Sequence, residues 1–569
     1  MAKSAVTNLA QNSGIKWFHK DRGNLHIRVK GFAFQGEICL KGEKLLSALT
    51  PKVEITDTDN IISYAKNIIQ GLNGSFAVVI ETDGHIFAAV DRLRSIPLFY
   101  GTADNKLFLS DDTNWVRKQV ADTCMDEIAT KEFLLTGYVT GSETLFPNVK
   151  QLQAGECLWV EKCDGKPHVT THRYYRYIHQ NFFNSSEEDL YPLMDQVLVN
   201  VFERLLESTK GRTLVIPLSG GLDSRLIVAM LKKLGRENVI CFSYGRKGHW
   251  ESEISKKVAE RLGYKWEFVR YTRRKWYEWF QSDERRNYYK YADGLSSLAH
   301  IQDWPAVWEL KKMGKIPDGS VFVPGHSGDF VAGSHIPQNF VSMQHIGKDE
   351  VDKAILGKHY SLWDWSKQSG KLGPIFKKKI LSNLPEMLIN TPEEAANAFE
   401  CWDWQERQAK FIVNSCRAYE FWGYDWRIPL WDSEMMDFWA RVPLELRLGK
   451  KLYDQFLEKC FFTYVNVDFR KDKGKTQFEL QKYLPDQLIR LLRKRNKIPG
   501  YHLLMQRKIM RNDILVLTEY LYRKQSSYRR NSRNPCLDEN MKWRNAMSLL
   551  TNEALDISLN EYEIEMREE

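Results

Sequence analysis

The stretch Leu214-Val215-Ile216-Pro217-Leu218-Ser219-Gly220-Gly221-Leu222-Asp223-Ser224-Arg225 runs from an apolar segment through a glycine-rich turn into a second apolar segment. Residues 213–218 read as a buried strand, and residues 226–234, closed by Gly235, read as a helix. Two adjacent glycines let the turn tighten and let its backbone approach an anion. The N–H groups freed there, together with the helix N-terminus, suit phosphate oxygens, and Ser219 and Ser224 add hydroxyl donors. Asp223 would repel a phosphate unless a cation stood between them, so it is a candidate Mg2+ ligand. The spacing is not that of a Walker A loop, which needs Gly-Lys-Ser/Thr after four spacer residues. A capped helix after a glycine turn accounts for Ser-Gly-Gly alone, but not for an Asp-Ser pair set between strand and helix.

The pattern continues downstream. Residues 239–244 read as a second strand, 251–262 as a helix ended by Gly263, and 266–271 as a third strand. Strands alternating with helices predict a doubly wound parallel sheet with ligands outside the carboxyl ends of its strands. Upstream, a polar linker at 180–189 leads into a helix over 190–208, with Ser185 as the expected cap. The first 160 residues read differently. Residues 25–34 alternate, 76–81 and 85–90 flank an Asp83–Gly84 hairpin turn, and 99–100 and 107–110 form another pair. With helical patterns at 59–72 and 131–136, this part reads as α+β.

Composition bounds the rest. The chain has 569 residues, 43% hydrophobic and 12% aromatic, enough for large cores and too apolar for general disorder, collagen or a small disulfide scaffold. Mean hydropathy is −0.47 and no run approaches 18 uncharged apolar residues, so no membrane span is expected. The first ten residues lack the apolar core of a secretory signal. Nine cysteines are scattered without a Cys-x-x-Cys pair, which gives zinc ribbons and redox motifs no support and fits a reducing cytoplasm. The net charge of +9 is compatible with general solubility or with steering of an anion.

The Ser-Gly-Gly-Leu-Asp-Ser loop resembles the ATP-pyrophosphatase loop, closely in the form found in the asparagine synthetase family. Leu72–Ala77, Asp91–Tyr100, the segments from Gly137 to Glu156 and Arg427-Ile428-Pro429-Leu430-Trp431-Asp432 resemble further landmarks of that family in the same order, over about residues 30–480. The resemblance implies an N-terminal αββα sandwich of the Ntn type, followed by a doubly wound parallel-sheet ATP-pyrophosphatase domain of the adenine-nucleotide α-hydrolase-like class with C-terminal helices. The expected division is 1–175, 190–520 and a charged tail at 521–569. It implies ATP and Mg2+ as cofactors. Leu218, Ser219, Gly220, Gly221, Asp223, Ser224, Tyr244, Gly245 and Gly325 would lie around the nucleotide, with Asp223 and Asp329 on the metal. Asn414 and Arg417, three apart on one helix, fall in the acceptor-contacting stretch of relatives. Lys473 or Lys475 would stabilise charge as the acyl-adenylate collapses. His326 stands where asparagine-forming relatives carry Glu; it acts either as a base on the amine or as a hydrogen-bonded pocket residue. Arg427 and Asp432 read as structural ion-pair members.

Departures from the family narrow the expectation. Its glutaminase uses a cysteine exposed as the first residue after the initiator methionine, whereas Ala2 occupies that place and the first cysteine is Cys39. The glutamine-holding segments are also missing. The expected activity is therefore an AMP-forming amide ligase without glutaminase function, using ammonia and a small-molecule or carrier-linked carboxylate. A uronic acid of a surface polysaccharide fits the aromatic residues between 402 and 431, which otherwise read as core. The alternatives are an intramolecular cyclase of the β-lactam or lasso-peptide type and a non-catalytic nucleotide-binding protein. A cytoplasmic enzyme is expected, with no nucleic acid partner; a homodimer is compatible with the sequence.

Overall fold

The computed structural model describes residues 5–9, 16–50, 64–163, 166–463, 465–467, 542–543, 550–551 and 553–555. Lys473, Lys475 and most of the expected C-terminal tail lie outside these residues.

The N-terminal part is a two-sheet sandwich. Strands Lys166–Arg173, Glu156–Cys163, His85–Val90, Asn73–Glu81, Leu25–Gln35 and Trp17–Arg22 lie side by side in that order, with Ile38–Lys41 also pairing to Leu25–Gln35. The second sheet runs Ala5–Asn8, Lys106–Ser110, Phe99–Ala103, Lys150–Gln151. The hairpin expected at Asp83–Gly84 is present, pairing Ala77 with Val90 and Glu81 with Ile86. Its strands explain the sandwich through their period of two. Ala77, Val79, Ile86, Ala88 and Val90 turn into a core shared with Leu107 and Leu109 of the second sheet and with Leu98 just before it. Phe76, Val78, Ile80, Phe87 and Ala89 turn to the outer face, where the helix Glu43–Ala48 contributes Leu45 and Leu46. Thr113–Gln119 packs on the other side of the second sheet, giving the αββα order. The helical pattern at 131–136 begins earlier than expected because Asp126 caps the helix, accepting from the Ala129 N–H at 2.7 Å. Of the pattern at 59–72, the described part is a π-helical turn, Ala65–Ile69.

The second part is built on five parallel strands in the order Lys265–Arg270, Val239–Gly245, Leu214–Pro217, Val321–Phe322, Asp425–Trp426. The central strand is buried on both faces, which is why it reads as a continuous apolar run. The first crossover helix is Leu222–Lys233, four residues longer at its start than the apolar pattern showed. It begins at the Gly-rich turn itself. The entering helix Glu187–Ser208 is capped by Ser186 rather than Ser185: its hydroxyl accepts from the Asp189 N–H while Asp189 answers the Ser186 N–H. Among the described residues no helix is long and apolar enough to cross a membrane.

The aromatic residues between 402 and 431 are mostly core. Trp402, Trp404, Tyr419, Tyr424, Trp426 and Trp431 are all buried, and Phe421 packs against Tyr288 and Trp304. They therefore offer no open platform for a sugar ring. Arg427 pairs with Asp425 at 2.8 Å, and Asp432 accepts from Nε and Nη2 of Arg204 at 2.9 and 2.8 Å, so both landmark residues take part in ion pairs.

Candidate active site

The site forms where the central strands end. Leu218 closes the strand by donating its N–H to the Phe242 carbonyl at 2.9 Å. The chain then turns through Ser219-Gly220-Gly221. Ser224, one turn into the helix, reaches back: its hydroxyl accepts from the Ser219 N–H at 3.1 Å, and the two hydroxyls lie 3.1 Å apart. The Ser219 hydroxyl in turn accepts from the Gly221 N–H at 3.1 Å. A side chain at Gly220 would lie 2.8 Å from Trp250, so glycine is required there by packing. No side chain caps the helix, which leaves its N-terminus available to an anion. Arg225 braces the loop from behind. It donates to the Gly220 carbonyl at 2.9 Å and the Val467 carbonyl at 3.2 Å, with its guanidinium 5.2 Å from the Phe462 ring centre.

The segment 324–329 docks against this loop. A Cβ on Gly325 would meet the Ser224 nitrogen at 2.7 Å, and one on Gly328 would meet the Asp223 Cγ at 2.9 Å. Only glycine permits this approach. Ser327 between them sits at φ 66, and its hydroxyl donates to Gln408 Oε1 at 2.7 Å. The docking brings the two expected metal carboxylates together. The Asp329 N–H donates to Asp223 Oδ2 at 3.0 Å, Tyr453 donates its hydroxyl to Asp223 Oδ1 at 2.8 Å, and Ser334 donates to Asp329 Oδ2 at 3.2 Å. Burial, then the nearby Asp329 charge, push the Asp223 carboxyl up to about 7. Among the described residues no three His, Cys, Asp or Glu side chains form a metal cage. Two hard carboxylates, with no third His, Cys, Asp or Glu completing a cluster among the described residues, suit Mg2+, which takes few protein ligands and completes its shell with phosphate and water.

Tyr244 and Gly245 end the neighbouring strand. The Tyr244 ring stacks on Tyr271 with centres 5.0 Å apart, and Gly245 adopts φ 122 while its carbonyl accepts from the Tyr271 N–H. His326 Nε2 lies 2.7 Å from the Ser415 hydroxyl, which also donates to the Ile412 carbonyl. Burial pulls the imidazole down to about 4, so it is neutral near pH 7 and a poor proton acceptor there.

Asn414 and Arg417 bond elsewhere. Asn414 donates to the Ala292 carbonyl at 2.7 Å, and Arg417 is held by Glu420 at 2.6 Å. Both line a cavity of about 340 Å³ between the two parts of the chain, whose wall contains none of the loop residues 218–224. Ser415 and Tyr453 escaped the sequence reading. Neither lies in a recognisable motif, and only chain packing brings them to His326 and Asp223.

The asparagine synthase family model matches residues 195–498, and the glutamine amidotransferase domain model matches residues 55–175. A relative described as probable asparagine synthetase [glutamine-hydrolyzing], from Acanthamoeba polyphaga mimivirus, is 25% identical over 209 residues. That match covers 35% of this chain and 35% of the relative, so the chain spans about a third of the curated relative's length. Among solved structures, glutamine phosphoribosylpyrophosphate amidotransferase from B. subtilis, complexed with ADP and GMP, is 14% identical. It covers 44% of this chain and 72% of its own, at a TM-score of 0.19. A structure described as the allosteric regulatory enzyme of purine biosynthesis is 13% identical, covering 54% of this chain and 55% of its own, at a TM-score of 0.18. Scores that low carry no argument. The family match over residues 195–498, more than half the chain, coincides with the strand–loop–helix site and its docked carboxylate, and this protein belongs to the asparagine synthase family.

Proposed function

We propose that this chain is an AMP-forming, ATP-dependent carbon–nitrogen ligase that joins a carboxylate to ammonia. The pairing of Asp223 with Asp329, through a 3.0 Å backbone bond across the glycine contact, carries the reading. The turn 218–221 with Ser224, and Tyr244, Gly245 and Gly325 around it, hold the nucleotide. Asp223 and Asp329 would hold Mg2+, which when bound neutralises the phosphates and the departing pyrophosphate. An acceptor carboxylate oxygen attacks the α-phosphorus, and the α–β bridging bond breaks toward pyrophosphate. Ammonia then attacks the acyl carbon, loses a proton, and AMP departs. Lys473 or Lys475 is the proposed cation for that second step. The neutral His326 and its partner Ser415 serve as acceptor contacts, since His326 is too weak a base to take the ammonium proton at pH 7.

We assign 1–175, 190–520 and 521–569 to a glutaminase-like domain, the ligase domain and a tail; the two sheets and the two matched ranges support the first two. Glutamine hydrolysis is not part of the proposed activity. Burial pushes the thiols of Cys39 and Cys157 up, the latter to about 12, which argues against either as a nucleophile. The acceptor proposed is a uronic acid, free or carrier-linked, and the compartment the cytoplasm. The aromatic residues give this no support, so it rests on His326 in place of the family's Glu.

The test is AMP and pyrophosphate release from Mg-ATP with ammonium and candidate acids, beside glutamine as the nitrogen source. The expected result is release with a uronic acid and ammonium, and glutamate formation from glutamine no faster than in buffer. Robust asparagine formation would overturn the acceptor. Release from a peptide or β-amino acid without ammonium would establish a cyclase, and no release with any acid would favour a binding protein.

A further inference from the structure

Arg94 combines two unfavourable features. Its backbone sits at φ 55, in the left-handed region that side chains rarely adopt, and its side chain is buried, 4% exposed. Nε donates to the Leu152 carbonyl at 2.9 Å, and the guanidinium carbon lies 5.3 Å from the Phe99 ring centre. No carboxylate among the described residues forms an ion pair with it, although it borders the cavity of about 340 Å³ between the two domains. Burial, then the like charge of Arg417, pull the guanidinium down to about 9 against the more distant attraction of Glu406 and Asp91, which leaves it cationic at neutral pH. Two further cations on that wall are neutralised, Lys30 by Asp111 at 3.0 Å and Arg417 by Glu420 at 2.6 Å. The Ser297 hydroxyl on the same wall is buried and has no hydrogen-bond partner among the described residues.

A buried, unneutralised guanidinium on a strained backbone is costly, and strain of this kind is kept where the surroundings and a function hold it. A planar guanidinium on a cavity wall matches the two oxygens of a carboxylate or phosphate. We propose that the interdomain cavity is a second ligand site, which binds a small anion through a carboxylate or phosphate group held by Arg94 and Ser297. The volume suits a molecule the size of a dicarboxylic acid or a sugar phosphate. The site is separate from the nucleotide loop and does not depend on the ligase reading. Asn414 and Arg417 form part of its wall, while Ser415 between them serves His326.

Full-length protein in chloride buffer is titrated calorimetrically with sodium succinate and, separately, with inorganic phosphate at matched ionic strength. Saturable binding of at least one is expected, weakened tenfold or more in Arg94→Gly. Glycine accepts φ 55 without strain and removes an unpaired buried charge, so this variant should fold at least as well as the parent. Ser297→Ala should weaken binding about threefold without moving the ligand-free melting temperature, since its hydroxyl bonds nothing among the described residues. Succinate alone binding assigns a carboxylate, phosphate alone a phosphate, and both a general oxyanion site; each supports the proposal. No saturable heat with either probe, or equal affinity in Arg94→Gly, overturns it. If Arg94→Gly does not fold, unchanged affinity in Ser297→Ala does so instead.

Discussion

Asp223 and Asp329 meet because two glycines remove the atoms that would separate them, and each carboxylate brings formal charge to one place. Asp223→Asn and Asp329→Asn should each lower ATP–pyrophosphate exchange about a hundredfold or more while leaving the fold intact. Loss of charge stabilisation of this type costs on the order of 3 kcal/mol. Exchange within a few-fold of the parent in either variant would remove that residue from the metal. His326 makes a different prediction. Its folded-state value of about 4 lies below the ordinary histidine value of 6.5. Between those two pH values the unfolded chain binds more protons than the folded one, so stability rises with pH across that window and is flat above it. At about 1.4 kcal/mol per unit, the contribution is about 3 kcal/mol at most. Urea denaturation of His326→Gln should show a shallower loss of stability from pH 6.5 to 4 than the parent; parallel curves would mean the imidazole titrates freely.

The strand–loop–helix unit depends on the segment that docks against it. A methyl group on Gly325 would lie 2.7 Å from the Ser224 nitrogen, a backbone atom that cannot swing aside. Gly325→Ala should therefore separate Asp329 from Asp223, reduce exchange at least tenfold and lower the melting temperature by several degrees. Gly314 offers a control, because a Cβ there meets nothing within 4 Å, although its φ of 62 favours glycine. Retained exchange in Gly325→Ala would show that the two segments need not touch. The same unit shows why its boundaries were only partly readable. The apolar pattern located the helix from residue 226, but the helix starts at Leu222, because Asp223, Ser224 and Arg225 are spent on the site and the loop brace rather than on the core. Ser186 and Ser185 are equally good caps by residue type, and only the chain geometry selects the one whose hydroxyl reaches the Asp189 N–H.

Across the molecule, the two domains are joined by buried polar groups. Lys410, fully buried, donates to the Val139 and Gly141 carbonyls at 3.0 and 2.6 Å and pairs with Glu406 at 2.5 Å, while Glu406 accepts from the Gly141 N–H. Lys410→Met should destabilise the protein by about 3 kcal/mol, because it leaves the Glu406 charge buried without a cation. Adding Glu406→Gln should recover part of that loss. A double variant less stable than Lys410→Met would mean the pair is not the source of the cost.

The parallel sheet, the Asp83–Gly84 hairpin and the strand–loop–helix unit are all legible in the sequence, since each rests on local periodicity or on residue types whose chemistry works over a few neighbours, whereas the sandwich followed from the family resemblance. Ser219, Gly220, Gly221, Asp223 and Ser224 are such a case: one turn holds them all. The contacts that complete the site join residues far apart in the chain. Tyr453 reaches Asp223 across 230 positions, Ser415 reaches His326 across 89, and the aromatic residues near 420 turn out to be core. Arg94 is the clearest example. In the sequence it is one basic residue in Asp-Arg-Leu-Arg-Ser, and neither its backbone angle nor its lack of a counter-charge leaves a mark in residue types. The angle belongs to the turn that the buried Asp91 organises, its carbonyl accepting from the Arg94 N–H and its carboxylate from the Leu93 and Ser95 N–H groups, and the cavity beside Arg94 is closed by residues more than 190 positions away.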